Sequence, residues 1–223
     1  MSAPTRTEPA VVVRDVSVRI DETPLLAPVS FTLGHGRALA VTGPNGSGKT
    51  TLLRVLAGVQ APSDGEVRVL GVAPDERSAT FRADVAALLD PPPMSRSLVL
   101  AEYLALVGTS WGLDLDAAID QAEELLAELG IAALTYRFPH ELSSGQRQLY
   151  GLTLVLARPC SVLVLDEPEQ RLDPDRLELV TRAIERRKAT GTTLVVASHS
   201  AALVARLADD RLELDEARFL AER

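Results

Sequence analysis

Hydrophobic and polar positions alternate with a period of two along the first part of the chain. Val11–Val13 and Val16–Ile20 predict strands separated by the polar pair Arg14-Asp15, and Val29–Leu33 predicts another. Ala38–Thr42 is instead a continuous apolar run, as expected of a strand buried on both faces. Helical spacing follows over Thr50–Ala57, and Asp64-Gly65 reads as a hairpin turn ahead of VRVLGV. After Pro91-Pro92-Pro93 the period changes: from Leu98 to Gly130 leucine and alanine recur every three or four residues, with Gly130 suited to end a helix. Apolar runs return at Ser161–Asp166 and Thr192–Ser198, with a helix from about Pro174 to Ala189 between them. The pattern predicts an α/β core interrupted by a helical insert, without internal repeats.

Composition narrows the functional classes. A net charge of −8 and a pI near 5.0 argue against broad nucleic-acid binding, which needs a basic face. The one cysteine, Cys160, cannot form an internal disulfide or build a thiolate metal site. Its apolar neighbours suit a small buried residue. No apolar run reaches 18 residues, so no bilayer span is expected, and residues 1–9 read as a flexible tail with no signal-peptide core. A soluble protein of a reducing compartment is expected.

The candidate chemistry begins with Gly43-Pro44-Asn45-Gly46-Ser47-Gly48-Lys49-Thr50, which fits G-x-x-x-x-G-K-[ST] at every fixed position. Glycines let a backbone wrap a polyphosphate with successive N–H groups turned inward, and the helix that follows adds its positive N-terminal dipole. In this pattern Lys49 reaches the β- and γ-phosphates, and Thr50, followed by Thr51, offers a hydroxyl to Mg²⁺. The chain has only two lysines, Lys49 and Lys188, among 23 basic residues. A compact ammonium among phosphate oxygens is a different tool from a planar guanidinium. The apolar run VLVL ends in Asp166-Glu167, a metal-holding carboxylate followed by one placed to polarise a water for in-line attack. TLVVAS leads into His199, at the end of another buried strand and so directed toward the γ-phosphate. His35 and His140 take the ordinary reading of exposed or structural histidines.

With the signature-like Leu142-Ser143-Ser144-Gly145-Gln146 upstream of the Asp-Glu strand, the chain resembles the nucleotide-binding subunit of ABC transporters over nearly its whole length. LAGVQAPSDGEVRVLGV, after the phosphate loop, carries the same resemblance. The likeness implies a P-loop NTPase core with a mixed sheet, an N-terminal antiparallel β-subdomain and an inserted helical subdomain. It divides a single domain, 1–223, into a nucleotide-binding core, about 10–90 and 160–215, and a helical part, about 91–158. It implies an ATPase using ATP and Mg²⁺, paired with a second cassette and docked on an integral membrane permease at the cytoplasmic face. Glu167, His199 and Lys49 would be catalytic. Ser143, Gly145 and Gln146 would meet the γ-phosphate of the opposing subunit. Short single-cassette chains of this kind resemble export systems.

The sequence departs from the family pattern at several points. Ile20 stands where an aromatic usually stacks on adenine, and Asp90 stands where a glutamine usually senses metal or water. Ser144 replaces a signature glycine, and Glu169-Gln170-Arg171-Leu172-Asp173 keeps only Leu-Asp of a usual Ser-Ala-Leu-Asp. Two alternatives therefore stand beside the transport ATPase: a soluble ABC ATPase outside transport, and a degenerate cassette that binds ATP with weak turnover.

Overall fold

The computed structural model describes residues 8–215; most of the expected N-terminal tail lies outside them. The chain begins with two long antiparallel strands, β1 (Val11–Ile20) and β2 (Thr23–Leu33). Both predicted N-terminal strands belong to β1, which crosses the polar pair Arg14-Asp15 as a bulge with Asp15 at φ 48. The Ser30 hydroxyl closes that bulge, accepting from the Asp15 N–H and donating to its carboxylate, each at 2.8 Å.

After β3 (Ala38–Thr42) and α1 (Lys49–Leu56) comes β4 (Asp64–Val69), which pairs with the other edge of β1. Asp64-Gly65 is thus not a hairpin turn but the opening of β4. A side chain at position 65 would lie 2.4 Å from the Asp15 carbonyl, so the glycine lets β4 approach the bulge.

The short helix α2 (Ala79–Asp84) leads into β5 (Val85–Leu88). The predicted 98–130 helix is two, α3 (Leu100–Ser110) and α4 (Leu115–Glu128), broken at Trp111–Asp114. Gly112 takes φ 96 there, and the Asp114 carboxylate caps α4 by accepting from the Ala117 N–H at 2.9 Å. Gly130, at φ 69, follows the α4 C-cap as expected. Next come α5 (Ser144–Leu156), β6 (Val162–Asp166), α6 (Pro174–Ala189), β7 (Thr193–Ala197), α7 (Ala201–Leu207) and β8 (Asp210–Glu213).

The mixture of strand directions is divided between two sheets. β2-β1-β4 is antiparallel, with β1 and β2 joined by a tight turn and β4 returning after β3 and α1, whereas β5-β6-β7-β3-β8 is wholly parallel, joined through helices. Val41, Val164, Leu165, Val195 and Ala197 are completely buried, which accounts for the continuous apolar runs of the central strands. One apolar cluster joins this sheet to α1 and the antiparallel strands, and a second joins it to α3, α4, α5 and α6. Tyr150 of α5 is fully buried in the second, its hydroxyl donating to the Leu100 carbonyl at 3.0 Å.

Candidate phosphate and hydrolysis site

Three neighbouring parallel strands, β6, β7 and β3, deliver the predicted chemistry at their C-terminal ends, where α/β sheets place ligands. The loop after β3 turns through left-handed glycines, Gly46 at φ 82 and Gly48 at φ 95, before α1 begins at Lys49. Pro44, Asn45 and Gly46 are exposed, Gly43, Gly48 and Thr51 are half-buried, and Ser47 is buried. Lys49 is only 6% exposed, and its ammonium donates to the carbonyls of Gly43 and Pro44, each at 2.9 Å.

Thr50 faces β6 across the sheet: its hydroxyl donates to Asp166 Oδ2 at 2.6 Å. Burial pushes the Asp166 carboxyl up from its ordinary range, with the charges of Glu167 and Asp90 adding to it; Thr50 and Lys49 oppose the shift. Asp166 Oδ1 and the Ser47 hydroxyl are buried without a hydrogen-bond partner among the described residues. Such orphaned groups beside a glycine loop fit a polyphosphate and its cation. Thr50 and Asp166 supply the hard oxygen donors that Mg²⁺ prefers, and they leave most of its coordination to phosphate and water.

Glu167 takes φ 45, and its N–H donates to the Ala197 carbonyl at 2.9 Å, which ties the residue to the end of β7. Its carboxylate is held on both sides. His199 Nε2 lies 3.3 Å from Oε1, and the Gln170 amide donates to Oε2 at 3.2 Å. The Gln148 amide donates to the Glu167 carbonyl at 3.3 Å. A cavity of about 340 Å³ is lined by Thr50, Asp166, Glu167, Asp90, Gln148 and Arg171 among others.

Asp90 thus shares the cavity with Asp166, but its carboxylate is paired with Arg54 at 3.1 Å. The remaining predicted residues do not line this cavity. Ile20, at the end of β1, is 56% exposed. Ser143 and Gln146 cap α5 reciprocally: the Ser143 hydroxyl accepts from the Gln146 N–H at 3.3 Å, and the Gln146 side chain accepts from the Ser143 N–H at 2.9 Å. Gly145 is buried, and a side chain there would lie 2.8 Å from the Arg171 carbonyl.

Gln148 and Gln170 escaped the sequence reading. Each is a lone glutamine whose partner is fixed only by the fold.

Residues 26–170 match the family model described as ABC transporter. The chain belongs to the ABC transporter family. As a member of this family it binds and hydrolyses ATP. Among its relatives is the thiamine import ATP-binding protein ThiQ of Salmonella typhimurium, 35% identical over 198 residues that cover 86% of this chain and 83% of ThiQ. The energy-coupling factor transporter ATP-binding protein EcfA of Methanothermobacter thermautotrophicus is 29% identical over 214 residues, 94% of this chain and 69% of EcfA. A solved ATP-binding subunit of an ABC transporter superposes with a TM-score of 0.82 at 25% identity, covering 95% of this chain and 88% of that one. The same fold and TM-score recur in a dimeric ATP-binding cassette bound to ADP and phosphate, at 21% identity over 96% of this chain and 97% of the cassette.

Proposed function

We propose that the chain is the ATP-hydrolysing subunit that energises transport through a separate membrane-spanning partner. The observation that carries the reading is the meeting of Thr50 with Asp166 and of Glu167 with His199 at the ends of three adjacent strands. The loop N–H groups, Lys49 and the α1 N-terminus bind the phosphates of ATP. Thr50 and Asp166 hold Mg²⁺, with Asp90 at the edge of the same cavity; the cation supplies neutralisation of the phosphate charge. Glu167 accepts a proton from a water whose oxygen attacks the γ-phosphorus, as the bond to ADP breaks. His199 holds the Glu167 carboxylate in place and faces the transferred phosphoryl group.

Ser143, Gly145 and Gln146 contribute from a second cassette, where a helix N-terminus and a hydroxyl favour an anion. The dimeric assembly of the structural neighbour bound to ADP and phosphate supports this pairing. Ile20 contacts the base. Residues about 10–90 and 160–215 form the nucleotide-binding core, and about 91–158 form the helical part facing the permease.

No helix among the described residues is long and apolar enough to cross a membrane. In this reading the partner supplies the pathway, and the chain sits peripherally on it at the cytoplasmic face. The acidic balance gives no reason to add a nucleic-acid partner. Direction belongs to the permease. The lean toward export rests on chain size alone, and the relative named for thiamine import leans the other way.

Glu167→Gln tests the reading: it abolishes ATP turnover while ATP binding and ATP-dependent dimerisation persist. Turnover equal to wild type would remove Glu167 from the mechanism.

A further inference from the structure

Glu169 lies in the turn between β6 and α6, and no step above uses it. Its half-buried carboxylate gathers three donors on one oxygen. Oε1 accepts from the Ser198 hydroxyl at 2.5 Å, the His199 N–H at 2.8 Å and the Ser200 N–H at 3.1 Å. Oε2 is buried without a partner among the described residues, so the side chain is committed to this loop. Three consecutive residues after β7 therefore each donate to one oxygen. Ser198 keeps one bond to β3, its N–H donating to the Val41 carbonyl at 3.3 Å, and the Ser200 N–H is shared with the Ser198 hydroxyl at 3.0 Å, whereas the acceptor for the His199 N–H is the Glu169 carboxylate.

What Glu169 restrains is the backbone of His199, and the His199 imidazole in turn meets the Glu167 carboxylate at 3.3 Å. The contacts form a closed ring. The chain runs from Glu167 through Pro168 to the Glu169 carboxylate, crosses to the His199 backbone, and returns through the imidazole to Glu167. A cap that only stabilised α7 would need no such reach, because the Ser200 hydroxyl already caps that helix by accepting from the Leu203 N–H at 3.3 Å.

We propose that Glu169 is a positioning residue for ATP hydrolysis, fixing the loop that aims His199 at Glu167. The proposal rests on the reading that Glu167 and His199 act as a pair. It gives Glu169 a part in turnover, against the degenerate-cassette alternative.

The test is steady-state ATPase kinetics of the full chain carrying Glu169→Ala, Glu169→Gln, His199→Ala, or Glu169→Ala with His199→Ala. Amide hydrogen exchange is followed at His199 and Ser200. Glu169→Ala is expected to lower kcat about tenfold with KM changed less than about twofold, and to speed exchange at those two amides. Glu169→Gln retains an acceptor oxygen and restores most of kcat. In the His199→Ala background, removing Glu169 adds no further loss, since both act through one imidazole. Losses that multiply, a glutamine variant no better than alanine, or an unchanged kcat in Glu169→Ala overturn the proposal. If Glu169→Ala does not fold, Glu169→Asp, shorter by one methylene, carries the same comparison. Turnover surviving Glu167→Gln would sink the underlying reading, whereas its loss alongside a silent Glu169→Ala sinks only this inference.

Discussion

Two glycines of the phosphate loop separate conformational strain from steric contact. Gly48 sits at φ 95 and ψ 10, and an added Cβ would lie 2.6 Å from the Leu25 carbonyl and 2.9 Å from Leu26 Cδ1. Gly46 has a similar left-handed backbone, φ 82, but a Cβ there meets nothing within 4 Å. Left-handed geometry costs an ordinary L-residue about 1–2 kcal/mol, and forcing an extra carbon into occupied space adds about 1–3 kcal/mol. Gly46→Ala should therefore cost about 1–2 kcal/mol, and Gly48→Ala about 2–5 kcal/mol. For a domain of this size each kcal/mol lowers Tm by about 2–4 °C, so the two variants should melt about 2–12 °C apart. Thermal scans by circular dichroism, without added nucleotide, read the difference. Equal melting temperatures would refute the argument that β2 presses on the loop at Gly48. A larger loss in Gly46→Ala would overturn the loop geometry itself.

Two further outcomes are expected. Burial pushes the Asp209 carboxyl up, but the Lys188 ammonium, the Ala38 N–H and the Arg37 charge together outweigh it and hold the group below its ordinary range. A depressed carboxylate stabilises the fold above its unfolded pKa and loses that contribution as pH falls through the folded value. Asp209→Asn should thus cost about 1 kcal/mol at pH 7 by urea denaturation, with the gap to wild type closing below about pH 4; a gap independent of pH would contradict it. Ile20→Tyr should tighten ATP binding about fivefold by calorimetry, because an exposed position at the end of β1 leaves room for a stacking ring, and unchanged affinity would remove Ile20 from the base site.

Elements with a strong local signal were legible in the sequence. The α6 bounds agree, and β3, β6 and β7 are shorter than or equal to their apolar runs. The phosphate loop, Asp166-Glu167 and His199 were legible because strand ends concentrate their chemistry in a few adjacent residues.

What escaped depends on distance along the chain. β1 reads as two strands until Ser30, fifteen residues on, closes its bulge. Asp64-Gly65 reads as a turn until Asp15 is seen against it. The short α2, β5, α7 and β8 carry too few residues to show a period. The partners of Glu169 lie 29 to 31 residues away, beyond any local pattern.

The two lysines of this arginine-rich chain share a physical reason. Lys188 reads locally as one of several cations at the end of α6, yet its ammonium donates to the Leu207 carbonyl and to Asp209, each at 2.8 Å. Lys49 likewise donates to two carbonyls. In both places the acceptors converge on one point. Where the acceptor is a carboxylate fork the chain uses arginine: Arg37 meets both oxygens of Asp210 through two parallel hydrogen bonds of 3.0 Å. A guanidinium spreads five donors over a rigid plane, whereas an ammonium carries all three on one compact, fully charged nitrogen. The clustered oxygens of a polyphosphate present the same demand as the Gly43 and Pro44 carbonyls. Lys49 can therefore exchange one set for the other with little change in its own geometry, which is what a buried phosphate-binding cation requires.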